Sequence, residues 1–134
     1  MKKDNLSDLS MQLSVDVLKL TKELRAKHET VISNQIGRSA TSVFANISEA
    51  QYPQSLPDML SKFEIARKEC METESWLKLL LSSSDIDDLA FKRYRNICGR
   101  IRRMLTSSCI TIENKINKKS RECSRLIFVS EGYC

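Results

Sequence analysis

Four long stretches of this chain repeat their apolar residues at intervals of three and four, and only three Gly and two Pro occur in 134 residues to break them. That period places one apolar stripe along each of four helices, and a chain so poor in turn-forming residues has little with which to build a sheet. The first stretch runs from about Leu6 to His28 on Leu6, Leu9, Leu13, Val17, Leu20 and Leu24. Its early Asp8 and Asp16 and late Lys22, Arg25 and Lys27 suit the helix dipole. The second runs from about Val31 to Gln51 and cannot continue far past Pro53. Ser55, Pro57 and Asp58 signal the start of a third, with Ser55 as cap and Asp58 reaching back. It uses Met59, Leu60, Phe63, Ala66, Cys70, Leu77 and Leu80, and ends near Ser82. Ser84 or Asp85 is positioned to cap a fourth, whose buried line is Leu89, Tyr94, Ile97, Cys98, Ile101, Leu105, Ile112 and Ile116. Short connections force consecutive helices antiparallel, so the expected fold is all-α, an antiparallel up-down four-helix bundle. One domain over residues 1–117 fits the length.

Within the second stretch, Gln35 to Ala50, the stripe of Ile36, Ala40, Val43 and Ile47 is interrupted by Asn46 and Glu49, one turn apart and close to the buried side. An unpaired buried carboxylate or amide costs about 1–3 kcal/mol. Pairing with Arg38, with backbone amides or with a neighbouring helix would make Asn46 and Glu49 a device that fixes register within a bundle or between subunits.

The same residues resemble a known family. Gln35, Ile36, Arg38, Ala40, Ser42, Asn46, Ile47 and Glu49 are similar to the second-helix pattern Q-I-R-R-A-A-x-S-I-P-x-N-I-A-E-G of the four-helix-bundle proteins encoded by intervening sequences in bacterial 23S ribosomal RNA genes. Gly37, Phe44 and Ala50 depart from that pattern. Phe63, Ile65, Ala66, Glu72, Glu74 and Leu77 resemble its third helix, where Lys68 and Glu69 replace Gly-Ser, and Arg103, Met104 and Leu105 resemble its fourth. The resemblance covers roughly residues 9 to 116. It implies a homopentameric ring, whose heterologous interface joins one face of each subunit to a different face of the next. Met11, Val15, Leu18, Phe44, Ile65 and Leu79 lie off the main seams and could supply that second apolar surface.

Charge is divided unevenly along the chain: residues 1–90 carry a net −3 and residues 91–134 a net +8. At about 100° per residue, Lys92, Arg93, Arg95, Arg100, Arg102 and Arg103 cover one face of the fourth helix, opposite Tyr94, Ile97, Cys98 and Ile101. No acidic residue falls between Phe91 and Ile112. Elsewhere the chain alternates signs at helical spacing, as in Glu23 and Lys27, Glu64 and Lys68, or Glu74 and Lys78. Two readings of the basic face stand. It is a solvated surface whose arginine stems cover apolar area, or it binds a polyanion, with RNA the first candidate. Contacts would then go mainly to phosphate rather than to bases.

Signatures of catalysis are missing. The chain has no G-x-x-x-x-G-K-[ST], no G-x-S-x-G and no H-E-x-x-H. Small helical ribonucleases carry R-x4-6-H, whereas Arg25 and His28 are only three apart. His28, the single histidine, reads as a surface residue that complements a helix end. Trp76 reads as a core or interface anchor. The five cysteines form no C-x-x-C and have no histidine companions, and Glu72 and Glu74 lack the Glu-x-x-His partners of di-iron bundles. Cys70, Cys98 and Cys109 therefore read as reduced core residues, and neither a metal site nor a cofactor is expected. The start, MKKDNLSDLS, does not resemble a secretory signal. Trp76 to Leu81, the longest apolar cluster, is broken by Lys78 and falls far short of the ~20 residues that span a bilayer. A cytoplasmic protein without membrane partners is expected.

After Asn117 the sequence continues basic through KKSREC and then turns apolar in RLIFVSEGYC. Residues 118–134 read as a tail, either a flexible basic arm, a docking segment or a non-native extension, with disorder the default for a terminus. Taken together, the residues and the resemblance point to a non-catalytic homo-oligomer, pentameric by family, that binds RNA or a ribonucleoprotein. The alternatives are an accessory subunit of a retroelement reverse transcriptase, since the accessory proteins of diversity-generating retroelements share this bundle and ring, and a protein-only adaptor for an acidic partner.

Overall fold

The computed structural model describes residues 5–131, with side chains through Ile127. Four helices account for nearly all of it: α1 (Leu6–Ala26), α2 (Val31–Ala50), α3 (Leu56–Ser82) and α4 (Asp88–Glu131). Consecutive helices pack on one another in an up-down bundle, and α4 closes back on α1 through the thinnest of the four seams. No helix among the described residues is long and apolar enough to cross a membrane.

Local chemistry sets where each helix begins. Asn5 caps α1 by accepting the Asp8 N–H at 2.8 Å, while its own amide donates to the Asp8 carboxylate. Thr30 makes no side-chain cap for α2. Glu29 serves instead, its carboxylate accepting the Ile32 and Ser33 N–H groups at 2.9 and 3.0 Å. Ser55 caps α3 as expected, and Asp58 reaches back to the Gln54 N–H. For α4 the cap is Asp87, which accepts from the Ala90 N–H, rather than Ser84 or Asp85. The reason is geometric. Ser84 adopts a left-handed conformation (φ 64°), and Asp85 N–H closes onto Leu80 O, so both residues are used in ending α3. His28 does the same for α1 at φ 65°, with Glu29 N–H bonded to Leu24 O. It thus terminates the helix through its backbone.

The apolar stripes meet in one core. Leu13, Val17 and Leu24 of α1, Ile36, Val43 and Ile47 of α2, Leu77 and Leu80 of α3, and Ile101 and Leu105 of α4 are fully buried. The α4 stripe holds with one exception: Leu89 is 78% exposed, and Ile86 in the connection fills the core in its place. Polar groups of short side chains lie inside the seams and are all satisfied. Ser14 donates to Ala40 O, Ser33 to Thr21 O, and the Ser39 and Thr73 hydroxyls meet at 2.8 Å. At Gly37 a Cβ would come within 3.3 Å of the Thr21 methyl, so a small residue there keeps α1 and α2 close.

α4 is much longer than its neighbours. Its 44 residues extend about 66 Å against about 40 Å for the 27 of α3. The last buried core residue on it is Ile112, Ile116 is partly covered, and residues 117–127 are exposed. The tail is helical from residue 118 to Glu131, an overhang beyond the bundle. Helix propagation adds a hydrogen bond per residue once a turn exists, so the chain continues the helix past the end of its packing. Residues 132–134 lie outside the described residues.

Candidate nucleic-acid interface

The six cations singled out on α4 divide into two groups in the folded chain. Lys92, Arg93, Arg95, Arg100 and Arg103 are exposed, as the helical phase requires when Tyr94, Ile97, Cys98 and Ile101 turn inward. Among the described residues, Lys92, Arg95 and Arg103 have no carboxylate partner. Arg93 lies over the Tyr94 ring, 5.5 Å from its centroid, an arrangement that leaves its charge intact while fixing its direction. Arg102 departs from the expectation of a shared outward face. Its Nε–H donates to Glu74 of α3 at 3.3 Å, which draws it toward the α3–α4 seam. Sequence spacing could not reveal this, because Glu74 lies 28 residues away on another helix.

The overhang adds to the positive surface. Lys118, Lys119, Arg121 and Arg125 are exposed there, with Glu122 the single acid between Lys118 and Ile127. Cations consequently recur along α4 from Lys92 to Arg125, on a rod of helix that the bundle covers on one side only over its first two-thirds.

A second charged cluster joins α2 to α3. Arg38 forms a fork with Glu69 at 3.2 Å and, more tightly, with Glu72. The Arg38 hydrogen bond holds the Glu72 carboxyl below its ordinary range, and the two acids in turn raise Arg38. Beside them the Nε1 of Trp76 is buried without a hydrogen bond of normal geometry. Arg38 thus pairs with neither Glu49 nor Asn46, and of the expected partners Glu49 finds the neighbouring helix. Glu49 is exposed and bonds Lys62 of α3 at 2.8 Å, and Asn46 donates to the Ser42 carbonyl and hydroxyl within its own helix. Glu49 avoids burial because, two residues past Ile47, the helix has turned through roughly 200°, which points Glu49 away from the line of Ile36, Val43 and Ile47, and Lys62 reaches it there from α3. All three residues still tie down α2, two of them by bridging to α3, and do so at the surface rather than in the core.

Cys70, Cys98 and Cys109 are buried free thiols, and Cys123 on the overhang is exposed. The off-seam apolar residues are largely uncovered: Met11, Val15, Leu18, Ile65 and Leu79 are exposed, and Phe44 is half-buried.

Comparison with known proteins agrees with this architecture. No curated protein matches the chain. A crystal structure of a protein of unknown function from the S23 ribosomal protein family of Bacteroides thetaiotaomicron is similar to it, with 38% identity and a TM-score of 0.77 over 78% of this chain and 98% of that one. The family described as 23S rRNA-intervening sequence protein matches residues 2–107, which end inside α4 and before the overhang. With the four helices, their order and the second-helix pattern all in agreement, the chain belongs to the 23S rRNA-intervening sequence protein family.

Proposed function

We propose that this protein is a non-catalytic, homo-oligomeric helical bundle, pentameric like the rings its family resemblance implies, that binds RNA or a ribonucleoprotein through the basic face of α4. The observation that carries the reading is the exposure of Lys92, Arg95 and Arg103, with no acidic partner among the described residues, on a helix that has no acid from Phe91 to Ile112. A run of unneutralised cations along a rigid rod gains affinity for a polyanion by releasing the counterions condensed on it. Recognition of this kind reads phosphate spacing and shape, and does not depend on base sequence. Self-association is supported by the exposed Met11, Val15, Leu18, Ile65 and Leu79, which make more open apolar surface than one isolated subunit needs.

Binding of the full chain to structured RNA at a series of salt concentrations tests the first part. Log affinity falls linearly with log salt if the proposal holds, and salt-insensitive binding, or none, overturns it. Mass measurement in solution tests the second, with a strictly monomeric mass as the contrary result. If partners captured from a lysate survive nuclease treatment, the basic face meets an acidic protein instead, and a captured reverse transcriptase assigns the accessory role.

A further inference from the structure

We propose that Cys70, Cys98 and Glu74 form a binding site for one zinc ion at the α3–α4 seam. The ligand atoms of these three residues all lie within 4.8 Å of one another, although the cysteines are 28 residues apart. Two thiolates on one tetrahedral zinc, each at ~2.3 Å, stand about 3.8 Å from each other, so small side-chain adjustments close the site. Both cysteines are fully buried, on helices whose packing fixes their approach. The Cys70 Sγ–H donates to the Cys98 carbonyl at 3.3 Å, a bond that a bound ion would replace.

The donor set favours zinc among thiophilic ions. Copper(I) is satisfied by two sulfurs, whereas zinc takes a carboxylate readily beside thiolates and leaves its fourth position to water. Charge supports the same choice. Two thiolates and one carboxylate around Zn²⁺ leave a net −1, and Arg102, already bonded to Glu74 at 3.3 Å, supplies the compensating charge and orients the ligand. Glu74 and Arg102 also line a surface pocket of about 270 Å³ with Leu77, Lys78, Phe91 and Arg95, which puts the carboxylate side of the site within reach of solvent. Binding releases the two thiol protons to solvent and changes no oxidation state. An ion there would pin α3 to α4 beneath the basic face, and it is independent of whether that face binds RNA.

The test uses the full chain, stripped of metal and kept reduced with a non-thiol reductant. Titration with Co²⁺ is expected to give a thiolate-to-cobalt charge-transfer band and tetrahedral visible absorption, both abolished by one equivalent of Zn²⁺, and mass spectrometry of the native protein gives one zinc per chain. Cys98→Ser removes the band. Glu74→Gln, at a half-buried position that leaves both thiols in place, weakens zinc by about tenfold or more. Cys109→Ser and Cys123→Ser leave binding unchanged. Absence of the band, or a band indifferent to both Cys98→Ser and Glu74→Gln, overturns the site. So does a Cys70–Cys98 disulfide formed in air by a reduced chain that takes up no metal, which would make the pair a redox couple.

Discussion

The phenol of Tyr94 donates to the carbonyl oxygen of Asp16 at 3.1 Å, fastening α4 to α1 across the thinnest seam of the bundle. Carbonyls inside a helix already accept one bond, and this oxygen accepts a second from a side chain 78 residues away. The bond also stands at the start of the basic face, where Arg93 rests on the same ring.

Tyr94→Phe removes that bond with little change of shape and should lower unfolding free energy by about 0.5–1.5 kcal/mol, read from urea denaturation. Burial raises the Tyr94 pKa. A folded-state pKa above the unfolded one contributes stability below the unfolded value, near 10.0, that is lost as pH rises toward the folded value. The wild-type chain should therefore lose stability above that pH more steeply than Tyr94→Phe. Parallel alkaline limbs for the two proteins would show that the phenol does not titrate against burial.

Charge removal on α4 should separate two kinds of arginine. The triple variant Lys92→Gln, Arg95→Gln, Arg103→Gln should keep its melting temperature and flatten the salt dependence of RNA binding, by about 0.7–0.9 in log–log slope for each phosphate that is no longer neutralised. Arg102→Gln should act mostly on stability, though by no more than about 1 kcal/mol, because Arg102 is partly solvated and its partner is a single carboxylate. Equal slope changes at Arg102 and at the exposed positions would refute the division.

Thr73 Oγ1 donates to Glu69 O at 2.9 Å in its own helix, which leaves Ser39 Oγ to donate across the seam to Thr73 Oγ1, with Ile36 O at 3.3 Å as its alternative acceptor. Ser39→Ala and Thr73→Val should each cost roughly 1 kcal/mol, and the double variant less than the sum, since no hydroxyl is then left behind without its cross-helix partner. Strict additivity in a denaturation cycle would mean that the 2.8 Å bond contributes nothing between α2 and α3.

Ending the chain after Asn117 should leave the bundle intact, with a change in unfolding free energy within about 1 kcal/mol, because residues 117–127 are all exposed. The same truncation deletes Lys118, Lys119, Arg121 and Arg125, so polyanion affinity at low salt should drop. A large loss of thermal stability would place the overhang in a packing role, for example between protomers.

Legibility divides along a physical line. Helix positions, the buried lines through Leu13, Ile36, Leu77 and Ile101, and the Ser55 cap follow from residues within one or two turns of each other, and a local period carries that information intact. The exposed basic face was legible for the same reason, since the phase of α4 relative to its own apolar stripe fixes which side chains point outward. What the sequence by itself could not determine depends on how two helices are rotated and shifted against each other. That relation drew Arg102 to Glu74, gave Glu49 to Lys62 instead of Arg38, sent Arg38 to Glu69 and Glu72, and brought Cys70 and Glu74 up to Cys98. Register between helices is decided by the sum of many side-chain interactions in the core, and no spacing along one segment records it.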